Sequence, residues 1–379
     1  MIQQDGERQM VNGKLRVAVL FGGRSAEHDV SRASAANVLR CLDPDRYEIV
    51  PVGITRQGCW MLADAGNGGG TGASELTVPE DGLQVSFLPA GGGRMLVAGD
   101  GATPVRELTP VDVVIPVLHG PHGEDGTVQG ALELADVPYV GSGVLGSSVS
   151  MDKDVAKRLI RDAGLPTSKF IVLRASEKPD YEAAVEALGA PELFVKPANM
   201  GSSVGVSRAR SAQEYADCCA HAFRFDSKII VEESVPNVRE IECSVLQDAD
   251  GVAGASELGE IVPDTKHGFY SYDAKYIDEG GAALLIPAPV APELRERIRD
   301  LAVKTFETLC CEGLARIDFF VSGDMVLVNE ANTLPGFTDI SMYPKLWEAS
   351  GLPQSGLMDR LIAHARARHE RTRAFSVNR

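Results

Sequence analysis

Two strand-like runs near the C-terminus carry the densest set of groups able to hold a metal. Leu314 to Val321 reads LARIDFFV and Met325 to Asn332 reads MVLVNEAN, joined by Ser322-Gly323-Asp324. Alternate residues of a strand share a face. Arg316 and Asp318 therefore project together, as do Glu330 and Asn332. A loop confined to residues 322–324 sets Arg316 opposite Glu330. Asp318 then lies diagonal to Glu330, with backbones roughly 7–8 Å apart. Two carboxylates and an amide oxygen there make a hard, oxygen-rich site, of the kind Mg²⁺ shares with phosphate and water. A solvated arginine–carboxylate row is the competing reading. Two features weigh against it. Ile317, Phe319 and Val328 between the polar positions are large and apolar, so one face must be buried. The turn Asn332-Thr-Leu-Pro-Gly336 follows directly and can aim backbone N–H groups at an anion.

Lys153 and Lys196 form a second set. Lys196 ends an apolar strand just before Gly201-Ser202-Ser203-Val204-Gly205. Such a loop lets backbone amides approach phosphates while lysines neutralise them. The G-x-x-x-x-G-K-[ST] pattern is absent, so this is not a P-loop. A solvated surface lysine is the ordinary alternative. Gly22-Gly23-Arg24-Ser25-Ala26-Glu27-His28-Asp29 follows the first strand and lacks the dinucleotide G-x-G-x-x-G spacing. Taken alone it reads equally as a strand-to-helix turn, with Glu27 and Asp29 suited to a helix N-terminus. His119-Gly-Pro-His-Gly-Glu-Asp-Gly126 is a glycine-rich turn in which His122 reads as an ordinary loop residue.

The elements that must position these groups follow from the hydrophobic pattern. Leu15–Phe21, Tyr47–Ile54 and Val111–Leu118 read as buried strands, with a helix over Asp29–Leu42 between the first two. That order predicts an open parallel α/β sheet with ligand groups at the carboxyl ends of its strands. Met151–Ala163 is expected to be helical, closed by Gly164 and Pro166. Strands are expected at Leu193–Lys196, Lys228–Glu233 and Glu240–Val245, and a helix over Pro292–Glu312 with Pro292 at its first turn. Glycine-rich stretches at 64–74 and 91–93 read as flexible surface insertions.

With 379 residues the chain is long enough for two or three domains. A net charge of −16 argues against broad binding to nucleic acid or an anionic membrane, though a local basic site can still hold a nucleotide. The seven cysteines include two adjacent pairs and no Cys-x-x-Cys, which reads as reduced thiols. Met1 to Gly13 has no apolar secretion core and no long apolar run occurs, so a cytoplasmic location is expected.

Together the segments resemble the D-alanine–D-alanine ligases of the ATP-grasp superfamily. The matching pieces, in family order, are GGRSAEHDVS at 22–31, HGPHGEDG at 119–126, MDK at 151–153, VKPANMGSSVGVS at 195–207, FYSYDAKY at 269–276, ARIDFF at 315–320 and NEANTLPGFT at 329–338. The resemblance implies an α/β chain of three domains, α+β in its nucleotide-binding part: 1–150 for substrate, then the ATP-grasp subdomains 151–235 and 236–379. It implies that Lys153 and Lys196 contact nucleotide phosphates and that Ser203 is also at the nucleotide. Glu232, Glu233 and Val235 would form the adenine hinge, with Glu240 at the ribose and Phe269 also at the nucleotide. Asp318, Glu330 and Asn332 would bind two Mg²⁺, or Mn²⁺. Glu27 would take the ammonium of the first D-alanine and form a trio with Ser202 and Tyr276. His119, Lys275 and Ser341 would contact substrate, Ser341 at the second carboxylate. Arg316 and the Gly336 N–H would stabilise the oxyanion. Segment His267–Tyr276 would be a lid, and a homodimer is the family expectation. The implied reaction activates one D-alanine as an acyl phosphate, which the amine of the second attacks. A D-lactate-using relative, a non-catalytic nucleotide-binding protein and a dehydrogenase are the alternatives. The intact metal and lysine set opposes the second, and the missing G-x-G-x-x-G opposes the third.

Overall fold

The computed structural model describes residues 13–64, 76–98, 105–263 and 282–375. The glycine-rich stretch at 64–74 falls almost wholly outside them, as does the expected lid with Phe269, Lys275 and Tyr276.

Three sheets organise the described residues. The first has seven strands: β1 (Leu15–Gly22), β2 (Tyr47–Ile54), β3 (Trp60–Leu62), β4 (Gln84–Phe87), β5 (Met95–Ala98), β6 (Arg106–Leu108) and β7 (Val113–Val117). β1 pairs in parallel with both β2 and β7, as the sequence predicts. Its alternation divides two cores: Val17, Val19 and Phe21 pack on the side of helix α1 (His28–Cys41), Ala18 and Leu20 on the other. A run buried on both faces therefore reads as continuous apolar sequence. Beyond β2, four short strands extend the sheet in antiparallel fashion, an extension the sequence reading did not contain.

The glycines at 91–93 are not a loose insertion. They form the turn between β4 and β5, tied down by Ala90 N–H to Leu134 O (2.7 Å) and Gly92 N–H to Ala135 O (2.9 Å). A Cβ on Gly93 would lie 2.0 Å from Val111 O, so close backbone approach, and not flexibility, requires glycine there.

After β7 come helices α2 (Thr127–Leu134), α3 (Val144–Met151) and α4 (Lys153–Asp162). The helix expected from Met151 starts at Lys153, because Asp152 is extended and caps it, accepting the Val155 N–H at 3.1 Å. Gly164 closes it at φ 73°. Next come β8 (Phe170–Arg174), α5 (Tyr181–Leu188), β9 (Leu193–Pro197), β10 (Ser207–Ala209), α6 (Ala212–Ala222) and β11 (Lys228–Glu233). They form a four-stranded sheet, β10-β9-β11-β8, backed by α5 and α6.

The last sheet is antiparallel, in the order β14-β13-β12-β15-β16. Its strands are β12 (Arg239–Gln247), β13 (Ala253–Pro263), β14 (Ala282–Leu285), β15 (Leu314–Ser322) and β16 (Met325–Asn332). Helix α7 (Pro292–Thr308) backs it through Ile298, Ala302 and Phe306. α7 stops before the expected Glu312 because Cys310 turns left-handed at φ 55°. Helices α8 (Met342–Ala349) and α9 (Gln354–Arg373) follow. α9 returns to the first sheet: Leu357, Leu361 and Ala365 share a core with Val17 and Val113. Arg368 fastens it, donating to Gly141 O at 2.6 Å and Tyr139 O at 3.1 Å.

Candidate functional site

The hairpin of β15 and β16 is built differently from the sequence expectation. Ser322 pairs with Met325, so the loop is only Gly323-Asp324. That register alone would turn Glu330 away from Asp318, because a one-residue offset exchanges faces. A bulge corrects it. Phe319 pairs with Val328 and Asp318 with Glu330, which leaves Asn329 as the extra residue. Beyond the bulge, Arg316 pairs with Asn332 and not with Glu330, and Asp318 faces Glu330 directly and not diagonally. The four polar side chains thus share one face, as expected, through a device the sequence did not reveal. On the neighbouring strand Glu242 pairs with Asp318, so Glu242, Asp318 and Glu330 form a row across three strands.

Arg316 lies within this row. Its Nε and Nη2 donate to the two Asp318 oxygens, both at 2.7 Å, and its Nε is 3.0 Å from Glu242 Oε2. Burial opposes its charge, but Asp318 and Glu242 outweigh burial and hold Arg316 well above the ordinary guanidinium range. Asn332 Nδ2 donates to Asp318 Oδ2 at 3.0 Å. Among the described residues no three His, Cys, Asp or Glu side chains converge closely enough to cage a metal. The opposed pair Asp318 and Glu330 nevertheless suits Mg²⁺, which takes one or two carboxylates and completes its shell from phosphate and water.

A cleft of about 350 Å³ runs along this face toward the four-stranded sheet. Lys153, Lys196, Ser203, Glu232, Glu233, Val235 and Glu240 all line it, with Asp318 and Glu330. Lys153, at the start of α4, donates to Met200 O at 2.7 Å and lies 3.4 Å from Glu330 Oε2. Lys196 pairs with Glu232, whose other oxygen is 2.6 Å from the buried Lys157. Burial would raise the Glu232 carboxyl, yet the two lysines pull it down to about 2. Glu233 accepts the Lys169 N–H at 2.9 Å. Both carboxylates expected at the hinge, Glu232 and Glu233, are therefore engaged by protein groups.

The Gly22–Asp29 turn meets the cleft wall through Glu27 and Ser202. Glu27 stands at the N-cap of α1 and is buried. Ser202 Oγ donates to its Oε1 in a short hydrogen bond, so two members of the expected trio meet. The third, Tyr276, is outside the described residues. A Cβ on Gly120 would stand 3.0 Å from Glu27 Oε2, and one on Gly201 3.1 Å, so two glycines make room for this carboxylate. Burial drives the His119 pKa down and keeps the ring neutral. Its Nδ1 lies 2.9 Å from Leu334 O and its Nε2 3.2 Å from Ser34 Oγ. Glu124 accepts the Gly120 N–H at 2.7 Å and the Leu334 N–H at 3.1 Å, binding the HGPHGEDG turn to the NTLPG turn. Burial, then Glu27, lifts Glu124 to about 8. Ser341 Oγ accepts the Thr338 N–H at 2.9 Å, and a Cβ on Gly336 would meet it at 2.9 Å, so these two positions adjoin.

Sequence reading missed Lys157, Glu124 and Glu242. Lys157 had a signal: it shares the buried stripe of α4 with Ala156 and Ile160. Glu242 lies two residues from Glu240 in an alternating strand, and Glu124 is inside a motif already singled out.

Two antiparallel sheets holding a cleft lined by Lys153 and Lys196 and by the opposed carboxylates Asp318 and Glu330 define an ATP-grasp ligase architecture. The D-ala D-ala ligase N-terminus family model matches residues 16–142 and the D-ala D-ala ligase C-terminus model matches 159–363. The D-alanine–D-alanine ligase of Bradyrhizobium sp. strain BTAi1 is 62% identical, covering 98% of this chain and 100% of its own. That of Methylobacterium sp. strain 4-46 is 58% identical over 94% and 92%. The solved D-alanine-D-alanine ligase from Coxiella burnetii superposes with a TM-score of 0.80 at 34% identity, covering 95% and 96%. A ligase from Bacillus anthracis complexed with ATP gives 0.69 at 26%, covering 94% and 99%. The chain belongs to the D-alanine–D-alanine ligase family.

Proposed function

We propose that the chain joins two molecules of D-alanine into D-alanyl-D-alanine, splitting ATP into ADP and phosphate, and so supplies a peptidoglycan precursor. The observation that carries this reading is one cleft lined by the opposed Asp318 and Glu330, Lys153 and Lys196, with the Glu27–Ser202 contact at its wall. Bound Mg²⁺ at Asp318, Glu330 and Asn332, with Mn²⁺ able to substitute, would neutralise phosphate charge during transfer. Lys153 and Lys196 hold the phosphates. Glu27 fixes the ammonium of the first D-alanine, so that its carboxylate faces the γ-phosphate. A carboxylate oxygen attacks that phosphorus, the bond to ADP breaks, and D-alanyl phosphate forms. The amine of the second D-alanine, placed by Ser341, attacks the acyl carbon. Arg316 and the Gly336 N–H stabilise the oxyanion, and phosphate leaves with the original carboxylate oxygen. His119 is neutral and serves as a hydrogen-bonding wall.

The organisation that fits this division of labour is 1–150, 151–235 and 236–379, with α9 returning onto the first unit. We assign the chain a homodimeric state, which light scattering tests. The activity itself is tested with D-alanine carrying ¹⁸O in its carboxylate. One labelled oxygen must appear in inorganic phosphate for each dipeptide formed. Unlabelled phosphate would overturn the acyl-phosphate route.

A further inference from the structure

We propose that Lys157 is a positioning residue that leaves the charge of Lys196 available to a nucleotide phosphate, by neutralising Glu232 from behind. The proposal rests on the reading that Lys196 binds phosphate.

Lys157, Glu232 and Lys196 form a line leading from the interior to the cleft. Glu232 Oε1 is 2.6 Å from Lys157 Nζ, and Oε2 pairs with Lys196 Nζ. Side-chain exposure falls from 10% at Lys196 to 3% at Glu232 and 1% at Lys157. Lys157 is not among the residues lining the cleft, so it does not reach a ligand directly. Its ammonium is fixed by three acceptors: Glu232 Oε1, Thr167 Oγ1 at 3.0 Å and Ser168 Oγ at 2.9 Å. Ser168 also donates to Glu232 Oε1 at 3.1 Å.

Charge counting gives the consequence. Within this trio the single negative charge of Glu232 is shared between Lys157 and Lys196. Without Lys157, the whole charge of Glu232 would fall on Lys196 and offset the attraction of its ammonium for a phosphate. In a buried setting this matters, because little solvent screens the pair. A purely structural lysine would tie α4 to β11 with no effect specific to phosphate.

Calorimetric binding of adenosine, ADP and ATP, with Mg²⁺, to full-length Lys157→Met separates the two. Expected are at least tenfold weaker ATP binding, a clear loss for ADP, and adenosine binding within about twofold of the parent. Weakening all three equally, or none, overturns the proposal. In a Glu232→Gln background, Lys157→Met should leave the ATP-to-adenosine ratio within about threefold, since the charge it offsets is gone; a full tenfold loss there also overturns it. Should Lys157→Met alone fail to fold, Glu232→Gln alone must keep that ratio near the parent value, and its collapse counts against the proposal. Lys196→Met is the control for the underlying reading. If it leaves the ratio intact, the phosphate role of Lys196 itself fails; if only Lys157→Met leaves it intact, the failure belongs to the inference alone.

Discussion

Replacing Glu330 by Gln separates metal chemistry from stability, because the change keeps the side chain's shape while removing its charge. Its Oε2 lies 3.4 Å from Lys153 Nζ, and its side chain keeps 26% exposure. Partly exposed pairs of this kind are worth about 0–1 kcal/mol. For a chain of this length such a change lowers the melting temperature by no more than about 2 °C. The neighbouring Asp318→Asn differs. Asp318 accepts two Arg316 bonds at 2.7 Å and one from Asn332 at 3.0 Å. Losing one charge-assisted bond to a buried arginine costs about 1.5–3 kcal/mol. Both substitutions remove one negative charge from the same metal pair. Both are therefore expected to lower ADP formation by orders of magnitude and to raise the Mg²⁺ requirement at least tenfold, while only Asp318→Asn melts clearly earlier. Melting curves beside ADP formation across an Mg²⁺ series decide it. Near-normal turnover of Glu330→Gln at modest Mg²⁺ refutes the metal assignment.

Deleting Asn329 makes the ladder regular while leaving Glu330 opposite Asp318, so ADP formation should fall far less than in Glu330→Gln, and Asn329→Ala, which keeps the extra residue, should remain within about tenfold in an ADP assay. Gly120→Ala places a Cβ 3.0 Å from Glu27 Oε2 at a φ of 74°; KM for D-alanine should rise several-fold, with about 1–2 kcal/mol lost by denaturant melting. Glu124 is held near 8 in the fold against an ordinary 4.5, so its stabilising contribution is full below 4.5 and gone once pH rises past 8. Glu124→Gln should flatten that fall in melting temperature. Glu232, held at about 2, acts oppositely: its contribution is present above 4.5 and is lost as pH falls toward 2, a loss absent from Glu232→Gln.

Local patterns made much of the fold legible. The strands at Tyr47–Ile54, Lys228–Glu233 and Met325–Asn332 coincide with their apolar runs. The shared face of Asp318 and Glu330 was readable from alternation, but the two-residue loop and the bulge at Asn329 were not. Each offsets the register by one residue in the same direction, and the two together shift it by two, so parity survived while the partners changed. The strands at 60–62, 84–87, 95–98 and 106–108 are too short to show a period, and pairing with one another supplies what sequence pattern lacks. Lys157 was invisible as chemistry because its partner, Glu232, is distant in sequence and meets it only when α4 packs on β11.

The most direct test is simultaneous measurement of ADP and dipeptide from the chain with ATP, Mg²⁺ and D-alanine. One D-alanyl-D-alanine per ADP is expected, with ADP release dependent on D-alanine. ADP formed without dipeptide, or no D-alanine dependence at all, would contradict the assignment of this cleft as a D-alanine–D-alanine ligase site.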